Sequence, residues 1–277
     1  MQHVAGLTAL SVGREVDPWT SRTGVVHSVF RRAINLLVDG ELWSVLAAEQ
    51  PDAPFGIRLA RCQECGGLDV KPRDSVHVRA GSIGVGRLAI DCRAASRWAP
   101  RPWREPAAGL RSRLSTVEQA AGPRAWAEAA RCARQVTAAL AGGDAELGRA
   151  VQWCVGLGPG MTPAGDDVLV GLLTVFSSSA AGAEGARITA RLARALVPVL
   201  PSTPDVSRHL LTQATRGLPS RAIHDLAAAV VEGAAEPVLE DALQVVLGIG
   251  CSSGADACMG MIAACRFSFL TAEGHAA

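Results

Sequence analysis

Three aspartates in this sequence sit where an aspartate needs a reason. Asp166 and Asp167 follow the stretch Gly156-Leu157-Gly158-Pro159-Gly160-Met161-Thr162-Pro163-Ala164-Gly165 and lead straight into residues 168–176, which are apolar on all sides. A run of that kind reads as a buried helix, so two carboxylates fall in its first turns. An isolated buried charge is very costly, and these acids call for water, a metal, a cation or a hydrogen-bonding ligand. They can accept the N–H of a small amide or hold a divalent ion through water. The blander role is to complement the helix dipole. The glycines at 156, 158 and 160 permit positive φ and close approach to the backbone N–H groups. Thr162-Pro163 reads as an N-cap followed by proline at the first helical position, and a helix start of this kind can take an anion. The stretch is not a phosphate loop of the Gly-Lys-Ser/Thr type, because Lys71 is the only lysine in the chain. Nor do its glycines have dinucleotide-fingerprint spacing.

A second segment has the same grammar. Gly254, Asp256 and Gly260 repeat the spacing of Gly165, Asp167 and Gly171, again behind hydroxyl residues, here Ser252 and Ser253. Asp and Gly at i, i+4 share a helix face, and the glycine admits a neighbouring backbone. Such a short match can also arise by chance. Taken as real, it predicts two helix starts facing one pocket, with Asp167 and Asp256 on opposite walls. Asp166, Thr162, Ser252, Ser253 and the backbone of Gly158, Gly160 and Gly254 would join them there.

The elements that must position these groups fall into two regimes. Up to residue 92 the pattern is β: runs at 23–30, 33–38, 41–46, 55–60, 75–79 and 83–90, with Asp39-Gly40 as a hairpin signal. Several short strands at close spacing suggest a small barrel or sandwich. Residues 93–107, rich in Pro, Trp and Arg, read as a linker. From 108 to 277 the period is helical, with helices expected over 110–121, 123–140, 145–155, the run after the central motif, 186–200, 204–215, 221–231, 237–247 and 254–270. The fold class expected is therefore α+β, with an N-terminal β-rich domain followed by an all-α domain.

Composition narrows the function classes. With 27 basic and 26 acidic residues in 277 the net charge is +1, which gives no bulk reason to bind nucleic acid or a membrane surface. The first five residues lack the basic and apolar regions of a signal peptide, and no run approaches the ~18 apolar residues of a membrane span. A cytoplasmic protein is expected. The eight cysteines are scattered; Cys62-Gln63-Glu64-Cys65 is a lone CxxC without a second pair. Cys132, Cys154, Cys258 and Cys265 lie on apolar helical faces and read as core residues. His27, on a strand, reads more readily as structural than functional, His209 beside Ser207 reads as exposed or at the core edge, His224 and His275 carry no supporting context, and no nucleophile–base arrangement follows from spacing.

Three motifs carry a family resemblance. The first is Arg31-Arg32-Ala33-Ile34-Asn35-Leu36. The second is Gly158-Pro159-Gly160-Met161-Thr162-Pro163 with Asp166-Asp167, and the third is Ser253-Gly254-Ala255-Asp256. Together they resemble the AllH-type subunit of bacterial oxamate carbamoyltransferase, as does the set Thr203, Ser207, Ala214 and Gly217. The chain departs from the pattern at Cys251, where a histidine is expected. The resemblance implies exchange of oxalurate and phosphate with oxamate and carbamoyl phosphate, in concert with other subunit types. It makes Ser207, Asn35 and Arg31 candidate substrate contacts, although Asn35 can equally stabilise its hairpin, and Arg31 and Arg32 are read as alternating on a strand. Both substrates are anions, suited to helix starts, and Thr162, Ser252 and Ser253 can donate to a developing oxyanion. Asp167, Asp256 and Asp166 are the candidate catalytic acids. Three functions stay open: a carbamoyltransferase subunit binding a small anionic substrate, a non-catalytic assembly subunit, and a metal-dependent small-amide hydrolase. No cofactor is certain and Mg²⁺ is the open candidate. The expected partners are other subunits or further copies of the chain.

Overall fold

The computed structural model describes residues 5–270; the first four of the amino-terminal residues read for a leader, and His275, lie outside them. The chain divides into two compact units at Pro100/Arg101.

The first unit is all β. Its strands are β1 (Ala5–Gly13), β2 (Arg22–Val29), β3 (Ala33–Val38), β4 (Glu41–Leu46), β5 (Gly56–Leu59), β6 (Ser75–Arg79), β7 (Ser82–Val85), β8 (Leu88–Asp91) and β9 (Ser96–Trp98). They form one sheet in the order β5-β4-β3-β2-β6-β7-β8-β1-β9, and a further antiparallel β1–β5 pairing closes the first eight into a barrel. Closure removes the exposed edges an open sheet would carry. Alternation places the core: Val76 and Val78 point inward while Ser75, His77 and Arg79 are exposed. At the Asp39-Gly40 turn both residues take positive φ, 47° and 85°, as the expected tight hairpin requires. Arg31 and Arg32 do not alternate on a strand. They lie in the turn between β2 and β3, both exposed.

The second unit is helical: α1 (Leu110–Ala121), α2 (Ala129–Ala139), α3 (Asp144–Cys154), α4 (Ala164–Phe176), α5 (Gly182–Leu196), α6 (Asp205–Thr215), α7 (Arg221–Glu232), α8 (Glu236–Leu247) and α9 (Ser253–Cys265). Two expected helices are shorter. The run 123–140 splits into a 3-10 turn (Gly122–Arg124), a non-helical stretch over 125–128 and α2. The run 254–270 ends at Cys265 and continues as a π-helical turn, Arg266–Leu270.

The expected linker is not a free tether. Ser96–Trp98 pairs with β1. Beyond the boundary, Arg101 makes two hydrogen bonds to Glu232, 2.6 and 2.8 Å. Trp103 is buried and donates from Nε1 to His224 Nε2 at 2.9 Å, which gives His224 a structural role.

Helices α4 and α9 form the centre of the helical unit, and nearly every residue in both is buried. They touch through glycine. A Cβ built on Gly171 would lie 2.0 Å from the Ala257 carbonyl oxygen, and one on Gly260 would lie 2.0 Å from that of Val168. The neighbouring contacts, Met261 N and Leu172 N, are reciprocal as well. Each of these pairs (168/257, 171/260, 172/261) is 89 residues apart, and so are the starts (164/253) and ends (176/265) of the two helices. The pair is an internal pseudo-dyad. Each helix also packs its first-turn glycine on the end of the helix before it: Gly165 on the Cys154 carbonyl, Gly254 on the Val246 carbonyl.

Candidate functional site

The loop into α4 is built by glycine and by one aspartate. Gly158 and Gly160 have φ of 109° and 98°, which disfavours any side chain there. Gly158 rests against the backbone N of Ala164, 2.9 Å from where its Cβ would stand. Asp166 ties this loop down. Its Oδ1 accepts from the Gly156 N–H at 2.9 Å, and its Oδ2 accepts from the hydroxyls of Ser207, at 2.6 Å, and of Thr203. Burial raises its pKa, and these three donors act against that shift. Ser207, a candidate substrate contact from the family pattern, is therefore committed to Asp166. Thr203, extended just before α6, and Ser207, in its first turn, are four residues apart, a spacing visible in the sequence, but nothing there named Asp166 as their partner.

Thr162 does not cap α4. Pro163 occupies the cap position, and no side chain bonds to the helix start. The Thr162 hydroxyl instead lies 3.0 Å from that of Ser253, the first residue of α9. That contact brings the two helix starts together. Ser252 holds the cap position of α9, also without a side-chain cap bond.

Asp167 and Asp256 occupy equivalent positions of the pseudo-dyad. Both are buried, 7% and 1% exposed. Burial pushes the Asp167 pKa well up; the hydroxyls of Ser253 and Thr162 oppose this, and the charges of Asp256 and Asp166 add to it. Burial likewise raises Asp256, against a 2.7 Å bond from the Trp126 N–H to its Oδ1 and a hydroxyl contribution from Ser252. One oxygen of each, Oδ2, has no hydrogen-bond partner. The Trp126 contact was not foreseeable: it comes from the irregular segment after the 3-10 turn. The 3-10 turn itself sends Arg124 to the Leu247 carbonyl at the end of α8, 3.1 Å away.

The remaining candidates lie apart in the chain. Asn35 is buried in the barrel unit, where it accepts from Ser44 at 2.7 Å and donates to Ser28 at 3.2 Å, a polar bridge over β2, β3 and β4. Arg31, in the same unit, is exposed and 3.7 Å from Glu64. Gly254 serves the close packing described above. Cys251 is exposed in the turn before α9, and Cys132, Cys154, Cys258 and Cys265 are buried as expected. Among the described residues no three or more His, Cys, Asp or Glu side chains group so as to hold a metal ion. Also among them, no single helix is long and apolar enough to cross a membrane.

Residues 154–265 match the family model described as oxamate carbamoyltransferase subunit AllH, and residues 8–97 match that of the AllH family N-terminal domain. No curated protein and no solved structure matches the chain. The first match begins at the end of α3 and closes at the end of α9, so it frames both helix starts.

Proposed function

Since the chain belongs to the AllH family of oxamate carbamoyltransferase subunits, we propose that it works within such an enzyme, in the cytoplasm, as the subunit whose paired helix starts bind a small anionic carbamoyl or carboxylate substrate. The observation that carries the reading is the Thr162–Ser253 contact, which joins the two starts. Among the described residues, the N–H groups of Gly158, Gly160 and Met161 donate no hydrogen bond. They stand beside the positive end of the α4 dipole, the setting in which an anion is held. The hydroxyls of Thr162 and Ser253, engaged with each other and with Asp167 in the free chain, would turn to donate to the oxyanion that develops on the carbamoyl carbon during transfer. Asp167 and Asp256 are the acids beside the reacting group, and Asp166 positions the loop. The family reaction moves the carbamoyl group of oxalurate to phosphate, releasing oxamate.

Phosphate-dependent cleavage of oxalurate, measured for the chain alone and with its partner subunits, tests this. Full activity needs this chain and falls at least ten-fold in Thr162→Val. Partner subunits fully active without the chain would overturn the reading. Full activity in the assembly with Thr162→Val, Asp167→Asn and Asp256→Asn together would favour a non-catalytic assembly role, which the description of the family as a subunit also supports. The hydrolase reading has no three-ligand metal cluster behind it among the described residues.

A further inference from the structure

Most cysteines of this chain pack as small apolar side chains: Cys92, Cys132, Cys154, Cys258 and Cys265 are all buried. The pair in the barrel unit differs. Cys65 opens a 3-10 turn (Cys65–Gly67) after β5 and is buried, whereas Cys62, three residues earlier, is half-buried. The turn brings the two thiols into hydrogen-bonding contact. The Cys62 thiol also donates to the Glu64 carbonyl at 3.4 Å, and the Cys65 thiol to the Val45 carbonyl of β4 at 3.9 Å. The backbone is pinned on both sides of the pair. The Cys62 carbonyl accepts from the Ala48 N–H at 2.7 Å, and the Gly66 N–H donates to the Arg31 carbonyl at 3.2 Å. Two sulfurs therefore meet on a fixed frame, one of them reachable from solvent.

The geometry points to Cys62 and Cys65 as a reversible dithiol–disulfide pair, a modification site at which Cys62 meets a small disulfide such as oxidised glutathione and Cys65 resolves the adduct. Cys62 gives up its proton, and its thiolate attacks one sulfur of the oxidant. The glutathione S–S bond breaks, a Cys62–glutathione bond forms, and one glutathione thiolate leaves. Cys65 then loses its proton and attacks the Cys62 sulfur, which expels the second glutathione thiolate. The two cysteine protons end on the two leaving thiolates, so two cysteines are oxidised while one oxidised glutathione is reduced to two glutathiones. Burial, with the neighbouring Cys62 adding to it, pushes the Cys65 thiol up to about 12. That keeps Cys65 from starting the exchange and leaves the first attack to Cys62; the second is intramolecular. A cytosolic disulfide is ordinarily transient and redox-sensing, which suits a pair that closes and reopens. The inference is independent of the ligand-site reading above.

Incubation of the full native chain in a buffer of oxidised and reduced glutathione, followed by alkylation and mass spectrometry, tests this. Residues 62–73, bounded by Arg61 and Arg73, form a tryptic peptide with these two cysteines and no others. The peptide is expected to lose both alkylatable thiols, to carry no glutathione, and to recover both thiols in dithiothreitol. In Cys65→Ala the adduct on Cys62 is expected to persist, because the resolving thiol is gone. In Cys62→Ser, a change at the more exposed position, Cys65 is expected to stay a free thiol. Thermal melts show whether each variant is folded. Two controls lie within the chain. Cys251 is exposed and should stop at a glutathione adduct. Cys132 and Cys154 also touch, but both are 0% exposed and should stay reduced. A wild-type peptide that keeps both thiols, or that stops at a glutathione adduct on Cys62, would overturn the inference. So would a Cys132–Cys154 disulfide that forms as fast, since oxidation would then follow unfolding.

Discussion

Replacing Gly260 by alanine places a methyl group between two helix backbones. A glycine-to-alanine change inside a helix ordinarily stabilises by about 0.8–1 kcal/mol through propensity. Here the new Cβ would stand 2.0 Å from the Val168 carbonyl oxygen and 3.0 Å from the Leu172 N, where ordinary contact begins at 3.4 Å, a shortfall of about 1.4 Å at the carbonyl. Neither obstacle is a side chain that can rotate away, so α4 and α9 must separate. A gap of even 0.5–1 Å forfeits a quarter to a half of each dispersion contact, and nearly every residue of both helices is buried. Overpacking typically costs 1–3 kcal/mol, and a backbone obstacle belongs at the upper end. After the propensity gain, the expected net loss is about 2 kcal/mol, or a fall in Tm of about 4–8 °C at 2–4 °C per kcal/mol. Urea unfolding should show a lower midpoint at an unchanged slope. Gly171→Ala should behave alike, and the double variant should lose less than the sum, since one separation relieves both clashes. Gly148→Ala in the middle of α3 is the control: nothing lies within 4 Å of its Cβ, so the same change should stabilise by up to about 1 kcal/mol. A Gly260→Ala chain as stable as wild type would refute the packing argument.

Three further outcomes follow from the charged groups. Asp166→Ala strips the acceptor from Gly156 N–H, Thr203 and Ser207, and at 1–3 kcal/mol for each stranded buried donor the helical unit should lose about 3 kcal/mol or more in urea unfolding; a loss below about 1 kcal/mol would mean the loop re-forms without it. Asp167 has a raised pKa in the folded state, so its contribution is full below the ordinary value of 3.8 and is lost as pH rises through the raised one. Asp167→Asn should therefore be at least as stable as wild type at pH 8 and lose less between pH 4 and pH 8; melts at both pH values check this, and a larger loss in the variant would contradict it. Glu232 is held down to about 2 from 4.5 by hydrogen bonds from Arg101 and Arg104, so its contribution is present above pH 4.5 and lost as pH falls toward 2. Glu232→Gln should be the less stable chain at pH 7, with the difference vanishing near pH 2 in an acid titration followed by circular dichroism.

How much was legible in the sequence depended on the range of the causes. Asp39-Gly40 announced its turn because the requirement for positive φ is local, and alternation announced β6 because burial on one face is local too. Closure of the barrel by β1 with β5 had no such signal, since it joins residues nearly fifty positions apart. The 93–107 segment looked like a tether because proline excludes helix and sheet, but what anchors it, Glu232, stands more than 120 residues away. Thr162 had the composition of a cap, yet a tertiary partner on α9 took its hydroxyl.

The acid motif shows the same division at finer scale. Asp166 and Asp167 look interchangeable as letters, but successive helical residues point about 100° apart. One meets the Gly156 loop and α6, and the other meets α9. Which acid is satisfied at home and which is left with a free oxygen was therefore decided by neighbours that the sequence does not name locally. The two halves of the pseudo-dyad agree in letters at only a few positions, Gly165/Gly254, Asp167/Asp256 and Gly171/Gly260 among them. Those are the positions where a backbone comes within 2.0 Å of a missing methyl or where a buried acceptor stands. Elsewhere the pairs, such as Val168/Ala257 and Leu172/Met261, need only be apolar and of tolerable size. A three-residue match was enough to align two helices of 13 residues each because only those side chains have no substitute.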